Sequence, residues 1–300
     1  MGVIITATGV SHDTDTASVI EHSSRAARAA LEAASIGPEQ VGVLINTGIY
    51  RDSNMVEPAI AALIQKAAGI GLDYTETDPK SFSFDLMNGA CGVLNAVQVA
   101  SGLLETATTE RVLVVSGDTH PSMTGAAAPQ GFPYTTAGAA MLLEHTDRPE
   151  GFGPVHVDLL DGEPAVEGFV DMSTMGTTGR TAMTVARADD FDVRILDAAV
   201  SVATRALDGS GIDPATTVLI SSQPTSGFQT ALAEKLGIRS LGVDGEPRVA
   251  GDTHTAALTL AYHRAVTADG MKDVTSALFV AAGAGPSAAA TVYRVPVMAA

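Results

Sequence analysis

The sequence predicts an α/β fold built from two related halves. Two observations carry that prediction: an internal repeat, and strands that read as unbroken apolar runs. Residues 30–38 are ALEAASIGP and residues 206–214 are ALDGSGIDP, so Ala30, Leu31, Ile36 and Pro38 recur as Ala206, Leu207, Ile212 and Pro214 at one constant offset. An apolar strand follows each copy, VGVLINTG at 41–48 and TVLISSQP at 217–224. A helix comes next in both, ALIQKAAGI at 62–70 and ALAEKLGI at 231–238. A third matched pair, NGACGVLNAVQVA at 88–100 and GDTHTAALTLAYHRA at 251–265, leads into the strands RVLVVSGD at 111–118 and SALFVAAG at 276–283. Continuous Val/Leu/Ile runs suit strands covered by helices on both faces. The third pair of helices has few charges in its middle turns, which predicts a buried, central position. The halves meet near DRPEGFG at 147–153, giving units 1–150 and 151–300.

Composition narrows the function classes. The chain has 300 residues, 46% of them hydrophobic, enough for a large core. Seventeen basic residues against 34 acidic ones give a formal charge of −17. Such a surface repels nucleic acid and anionic lipid, so neither is an expected partner. No apolar run reaches the roughly 18 residues a membrane span needs. A single cysteine allows no intrachain disulfide and no multi-cysteine metal site, which fits a reducing, cytoplasmic setting. The start, MGVIITATGVSHDTD, lacks the basic region of a secretory signal. Neither a phosphate-binding P-loop nor a dinucleotide-binding G-x-G-x-x-G occurs, so no nucleotide cofactor is expected.

The lone cysteine, Cys91, opens one of the two central helices. A thiol there meets the positive end of the helix dipole and unpaired N–H groups, both of which favour thiolate. A strand, a small-residue turn and a helix opening on Cys is also how acyl-transferring enzymes present a nucleophile. The competing reading is an inert buried cysteine. The repeat places the start of the His254 helix opposite the start of the Cys91 helix. If the halves pack through these helices, Asp252 and His254 approach Cys91, with His254 as general base and Asp252 as its orienting carboxylate. Asp252 equally serves as a helix N-cap. His120, Ser222 and Gln223 lie at strand exits and are candidate substrate contacts. Asp118/His120 and Asp252/His254 each form an Asp-x-His pair, a poor zinc site without further ligands, so no metal is expected.

These segments together resemble the thiolase superfamily: ACGVLNAVQVA, GFPYTTAGAAMLLE at 131–144, GDTHTAA, and the glycine-rich FVAAGAGPSAA. The nearest branch is the β-ketoacyl-acyl-carrier-protein synthase III-like proteins, and the resemblance runs over nearly the whole chain in order. It implies a five-layered αβαβα architecture of two pseudo-two-fold halves, a homodimer or a heterodimer with a homologous subunit, and acyl-thioester chemistry on Cys91. Gly285 matches the backbone position that completes an oxyanion hole with the Cys91 N–H. The family's catalytic His and Asn fall on Ser222 and Asp252 here, so neither is present. A carboxylate at the Asn place repels a developing enolate, which argues against decarboxylative condensation. Two further departures are a short path from the first strand to the first helix and the absence of Trp, which relatives stack on coenzyme A.

The reading that follows is an acyltransferase of specialised, polyketide- or fatty-acid-like biosynthesis. It moves an acyl group from an acyl-carrier protein or coenzyme A thioester through Cys91 to an acceptor, with no resident cofactor. The alternative is a non-catalytic subunit of a heteromeric ketosynthase-like complex.

Overall fold

The computed structural model describes residues 2–73, 75, 80–123, 132–159, 161–173, 182–241, 251–285 and 287–296. The first sheet contains β1 (Gly2–Ser11), β2 (Val43–Asn46), β3 (Phe82–Asp85), β4 (Arg111–Asp118) and β5 (Ala137–Thr146), in the spatial order β1-β5-β4-β2-β3. Strands β2, β3 and β4 run parallel, and β5 is antiparallel to both β4 and β1.

The second sheet repeats this plan. Two short strands, β6 (Gly151–Phe152) and β7 (His156–Leu159), both pair with β13 (Ser287–Arg294). Inward from β13 lie β12 (Ser276–Ala284), β10 (Thr217–Ser221) and β11 (Arg239–Ser240). Here too three strands are parallel and the next is antiparallel. Between the sheets' segments, β8 (Val166–Phe169) and β9 (Thr184–Arg187) form a separate two-stranded ribbon.

The helices fall into matching pairs: α1 (Val19–Ala34) with α4 (Phe191–Leu207), α2 (Ile60–Ala68) with α5 (Phe228–Leu236), and α3 (Gly92–Glu105) with α6 (Ala257–Thr267). The repeat seen in the sequence marks the ends of α1 and α4, and Pro38 and Pro214 each open a one-turn 3-10 helix before the next strand. Proline suits that first position, where its missing N–H is not needed.

Alternation along the strands assigns the layers. Val43, Ile45, Val112 and Val114 face the interior shared with α3, α6 and the second sheet, while Leu44, Leu113 and Val115 face α1 and α2. Val218, Ile220, Ala277 and Phe279 face the same interior, while Leu219, Leu278 and Val280 face α4 and α5. The result is five layers, αβαβα, with α3 and α6 enclosed between two sheets. Period-2 strands buried on both faces explain why the sequence shows continuous apolar runs rather than alternation. No helix among the described residues is long and apolar enough to cross a membrane.

Candidate active site

Cys91 closes a 3-10 turn, Gly89–Cys91, that leads straight into α3. Its side chain is fully buried within the central apolar cluster. The sulfur lies 3.6 Å from the carbonyl oxygens of Ala281 and Ser287, and the Ser287 hydroxyl donates to it at 3.8 Å. Burial pushes the thiol up to about 12, against a smaller lowering by the Ser287 hydroxyl. The thiolate-favouring helix start anticipated from sequence is therefore overridden: desolvation of the charged form outweighs the helix dipole. The Cys91 N–H also donates to the Asn88 carbonyl at 3.0 Å, so it is engaged within the turn and is not the open oxyanion donor expected.

The second helix start has the opposite character. His254 begins the turn His254–Ala256, which packs against the Cys91 turn, so the two starts converge as the repeat implies. Its φ is +46°, a left-handed value rare for a residue with a side chain and costing about 1–3 kcal/mol. That twist separates the roles of backbone and ring. The His254 N–H donates to Asp252 Oδ1 at 2.8 Å, whereas the ring Nδ1 meets Asp118 Oδ2 at 3.1 Å. The imidazole thus pairs with Asp118 at the end of β4 rather than with Asp252. The expected Asp252–His254 orienting pair is not formed, because Asp252 caps the turn through the backbone.

Asp118 is fully buried and accepts five hydrogen bonds. Ile49 N (2.9 Å) and Tyr50 N (2.8 Å) reach Oδ1, while His254 Nδ1, Thr255 N (3.1 Å) and Thr255 Oγ1 (2.5 Å) reach Oδ2. Burial alone raises this carboxyl, but the His254 ring and the donors from His254, Thr255 and Tyr50 hold it below the usual carboxylate range. Tyr134 stacks on the His254 ring at 4.2 Å between centroids, and Tyr50 stacks on Tyr134 at 5.3 Å. Burial pushes the Tyr50 hydroxyl up to about 12.

Asp252 faces a different neighbour. Its Oδ2 lies 3.1 Å from Arg187, whose guanidinium also donates to the Pro224 carbonyl and lies over the Phe191 ring. Burial raises the Asp252 carboxyl, and the His254 and Arg187 charges only partly oppose it. Asp252, Arg187, Gln223, Pro224, Gln229 and Arg264 line a cleft of about 670 Å3. Cys91 and His254 are not on its wall. A side chain at Gly283, whose φ is +114°, would sit 3.2 Å from Pro224 and 3.9 Å from Ala90. Gly283 is thus close both to Pro224 on the cleft wall and to Ala90, the neighbour of Cys91.

The remaining expected contacts divide. Gln223 lines the cleft, its amide donating to Gln229. The Ser222 hydroxyl donates to the Ala282 carbonyl (2.8 Å) and accepts from the Ala282 N–H (2.9 Å), fastening β10 to β12. It is spent on strand pairing rather than offered to a substrate. His120 is buried, with Nδ1 beside the Ser122 hydroxyl and its ring edge-on to Phe132, away from the cleft wall. Gly285 has φ +72° and faces Val166 of the β8–β9 ribbon, whereas Gly283, within β12, is the glycine beside Ala90. No cluster of three or more His, Cys, Asp or Glu with metal-binding geometry occurs among the described residues.

Solved structures match the chain over its whole length. The priming β-ketosynthase of the R1128 polyketide pathway superposes with a TM-score of 0.79, 18% identity, and 99% of this chain and 97% of that one covered. The 3-oxoacyl-(acyl carrier protein) synthase III of Pseudomonas aeruginosa PAO1 gives 0.77 at 16% identity, with 99% of each chain covered. The chain shares the fold of these ketosynthase III structures. A Xanthomonas campestris OleA structure with bound lauric acid and lauroyl-CoA shares this ketosynthase III fold at TM-score 0.70 and 16% identity, over 98% of this chain and 99% of that one.

Among curated proteins, an acyl-CoA:acyl-CoA alkyltransferase of Xanthomonas campestris pv. campestris is 36% identical over 95 residues. That match spans 32% of this chain and a quarter of the relative. No family model matches the chain. In this chain the second central helix start carries an imidazole, with the Asp118 carboxylate of β4 held against it.

Sequence reasoning missed Asp118 as the partner of His254, and it missed Arg187, Tyr50 and Tyr134. The available signal was faint: Asp118 ends a strand whose middle, Val112–Val115, is apolar, where a buried carboxylate needs a compensating partner.

Proposed function

We propose that this protein is an acyl-thioester transferase in which Cys91 carries the acyl group. The observation that carries the reading is the packing of the Cys91 turn against the His254 turn in the middle layer of a ketosynthase III fold. With the thiol pushed up to about 12, an unassisted Cys91 is almost wholly protonated at neutral pH, so a base is required. In the proposed step the thiol proton passes to the His254 ring as sulfur attacks the thioester carbonyl. A carbon–sulfur bond forms to Cys91, the bond to the donor sulfur breaks, and the imidazolium returns the proton to the departing thiolate. The acyl group then passes to a second nucleophile, which regenerates the thiol.

The donor class is an acyl-coenzyme A or acyl-carrier-protein thioester, in keeping with the partial match to an acyl-CoA:acyl-CoA alkyltransferase. No resident cofactor is invoked. The cleft lined by Arg187, Gln223 and Arg264 is the approach, and Pro224 with Gly283 is the wall that must give way for the thioester to reach sulfur. Decarboxylative condensation is disfavoured, because Ser222 and Asp252 supply no pair of hydrogen-bond donors for an enolate. A homodimer is the proposed assembly, through the edge strand β3, where Phe82 is exposed beside Phe84. Cytoplasmic residence accords with one reduced thiol.

Intact-mass spectrometry after incubation with a panel of acyl-coenzyme A and acyl-carrier donors tests the reading. Wild type should gain one acyl group and Cys91→Ala none; a wild type that never gains mass rejects the enzyme. The enclosure of the sulfur favours one second reading, a non-catalytic subunit of a heteromeric ketosynthase-like complex. Stable co-purification with a homologous subunit, with complex activity unchanged by Cys91→Ala, would select it.

A further inference from the structure

We propose that Asp118 is the positioning residue for proton transfer at His254, fixing the imidazole in the tautomer that presents Nε2 as the base. This rests on the acyl-transfer reading above and specifies what makes its base competent.

A carboxylate with no proton of its own can only accept hydrogen bonds. Oδ2 of Asp118 already receives donors from Thr255 N and Thr255 Oγ1, and it faces His254 Nδ1 at 3.1 Å. Nδ1 must therefore carry the hydrogen, which leaves the Nε2 lone pair available. The groups around the ring all hold it in that pose. Tyr134 covers one face, Tyr50 packs 5.7 Å from the ring, and the His254 backbone, at positive φ, donates to Asp252. Asp252 is itself engaged with Arg187 and offers the ring no competing acceptor. Nε2 has no hydrogen-bond partner among the described residues.

The charge balance also favours this assignment. Asp118 is held in its ionised form by five donors and sits directly beneath the nitrogen that shares the positive charge once Nε2 takes the proton. A purely structural staple would need the two backbone donors of Ile49 and Tyr50 and those of Thr255, but not the ring. During the step, Cys91 loses a proton to Nε2 and the donor thiolate receives it. Asp118 gains none, acting only through the imidazole.

Two measurements decide the matter. Nitrogen-15 NMR of histidine-labelled wild type, assigned with His254→Gln, reads the tautomer directly and needs no substitution at Asp118. An Nδ1-protonated ring is expected, and an Nε2-protonated ring overturns the proposal. The second is a double-mutant cycle on the rate of acyl-enzyme formation. Asp118→Asn should slow that rate by about 10²- to 10⁴-fold in the wild-type background. In a His254→Ala background the same change should cost less than about 2-fold. Equal losses in both backgrounds would make Asp118 a structural residue only. A wild type that never acylates rejects the acyl-transfer reading and this role with it; a wild type that acylates with the wrong tautomer rejects the role alone.

Discussion

The two central helices start in opposite surroundings although they are copies of one another. The start of α3 is dry: Cys91 touches carbonyls of β12 and β13 and the side chains of the apolar middle layer. The start of α6 is a polar node, with Asp118, Asp252, Arg187, Tyr50 and Tyr134 around one imidazole. The repeat supplies two equivalent positions, one now holding a buried thiol and the other an imidazole ringed by polar groups. The two turns are in contact, and the proposed acyl transfer depends on that contact.

That contrast can be broken most sharply at sulfur. Cys91→Ala should remove acyl-enzyme formation entirely by intact mass, and any residual acylation elsewhere would end the asymmetry. Next in size, His254→Ala should slow acylation by about 10²- to 10⁴-fold while leaving the fold intact by circular dichroism. A loss below about 3-fold would make the polar node a structural feature only.

A third test concerns the dry side. With the thiol pushed up to about 12, native Cys91 should react with iodoacetamide at least about 10³-fold more slowly than a free thiol at pH 8. The rate should climb through pH 10 without a plateau, and denaturant should restore normal labelling. Rapid native labelling, levelling off below pH 9, would show an activated thiolate instead.

The two carboxylates of the node should differ in acid. The folded Asp118 carboxyl is lowered, so its contribution to stability is complete above its unfolded value near 4 and is lost as pH falls through the lower folded value. The Asp252 carboxyl is raised, so any stability it confers is present below pH 4 and is lost as pH rises through the folded value. Thermal melts between pH 2 and 6 should therefore show Asp118→Asn flattening the acid loss and Asp252→Asn steepening it. The smallest effect is expected at Ser222, where Ser222→Ala removes a strand-fastening hydroxyl. It should cost about 1–3 kcal/mol of stability by denaturant titration, with acylation unchanged within about 2-fold.

Much of the architecture was legible in the residues. The repeat around Pro38 and Pro214 marks two equivalent turns, and the apolar runs at 43–46 and 217–221 are strands covered on both faces. The convergence of the Cys91 and His254 starts followed from the same symmetry. What could not be read was which carboxylate meets the imidazole. Asp252 is two residues from His254 and looked the natural partner, yet the positive φ at His254 turns the ring toward a residue 136 positions away. Local spacing carries no information about a backbone conformation that only the packed halves enforce. The state of the thiol was hidden for a related reason. The helix dipole is a local property of α3, while the desolvation that overrides it comes from β12 and β13, contributed by the far end of the chain.

The five donors on Asp118 come from residues 49–50 and 254–255, so the carboxylate is synthesised long before its last ligands. As the chain leaves the ribosome, His254, 136 residues on, and Thr255 must be translated before Asp118 can receive their hydrogen bonds. Until then Asp118, on the central strand β4, has only the backbone donors of Ile49 and Tyr50. The full set of five donors to Asp118 therefore exists only when both halves are present and packed.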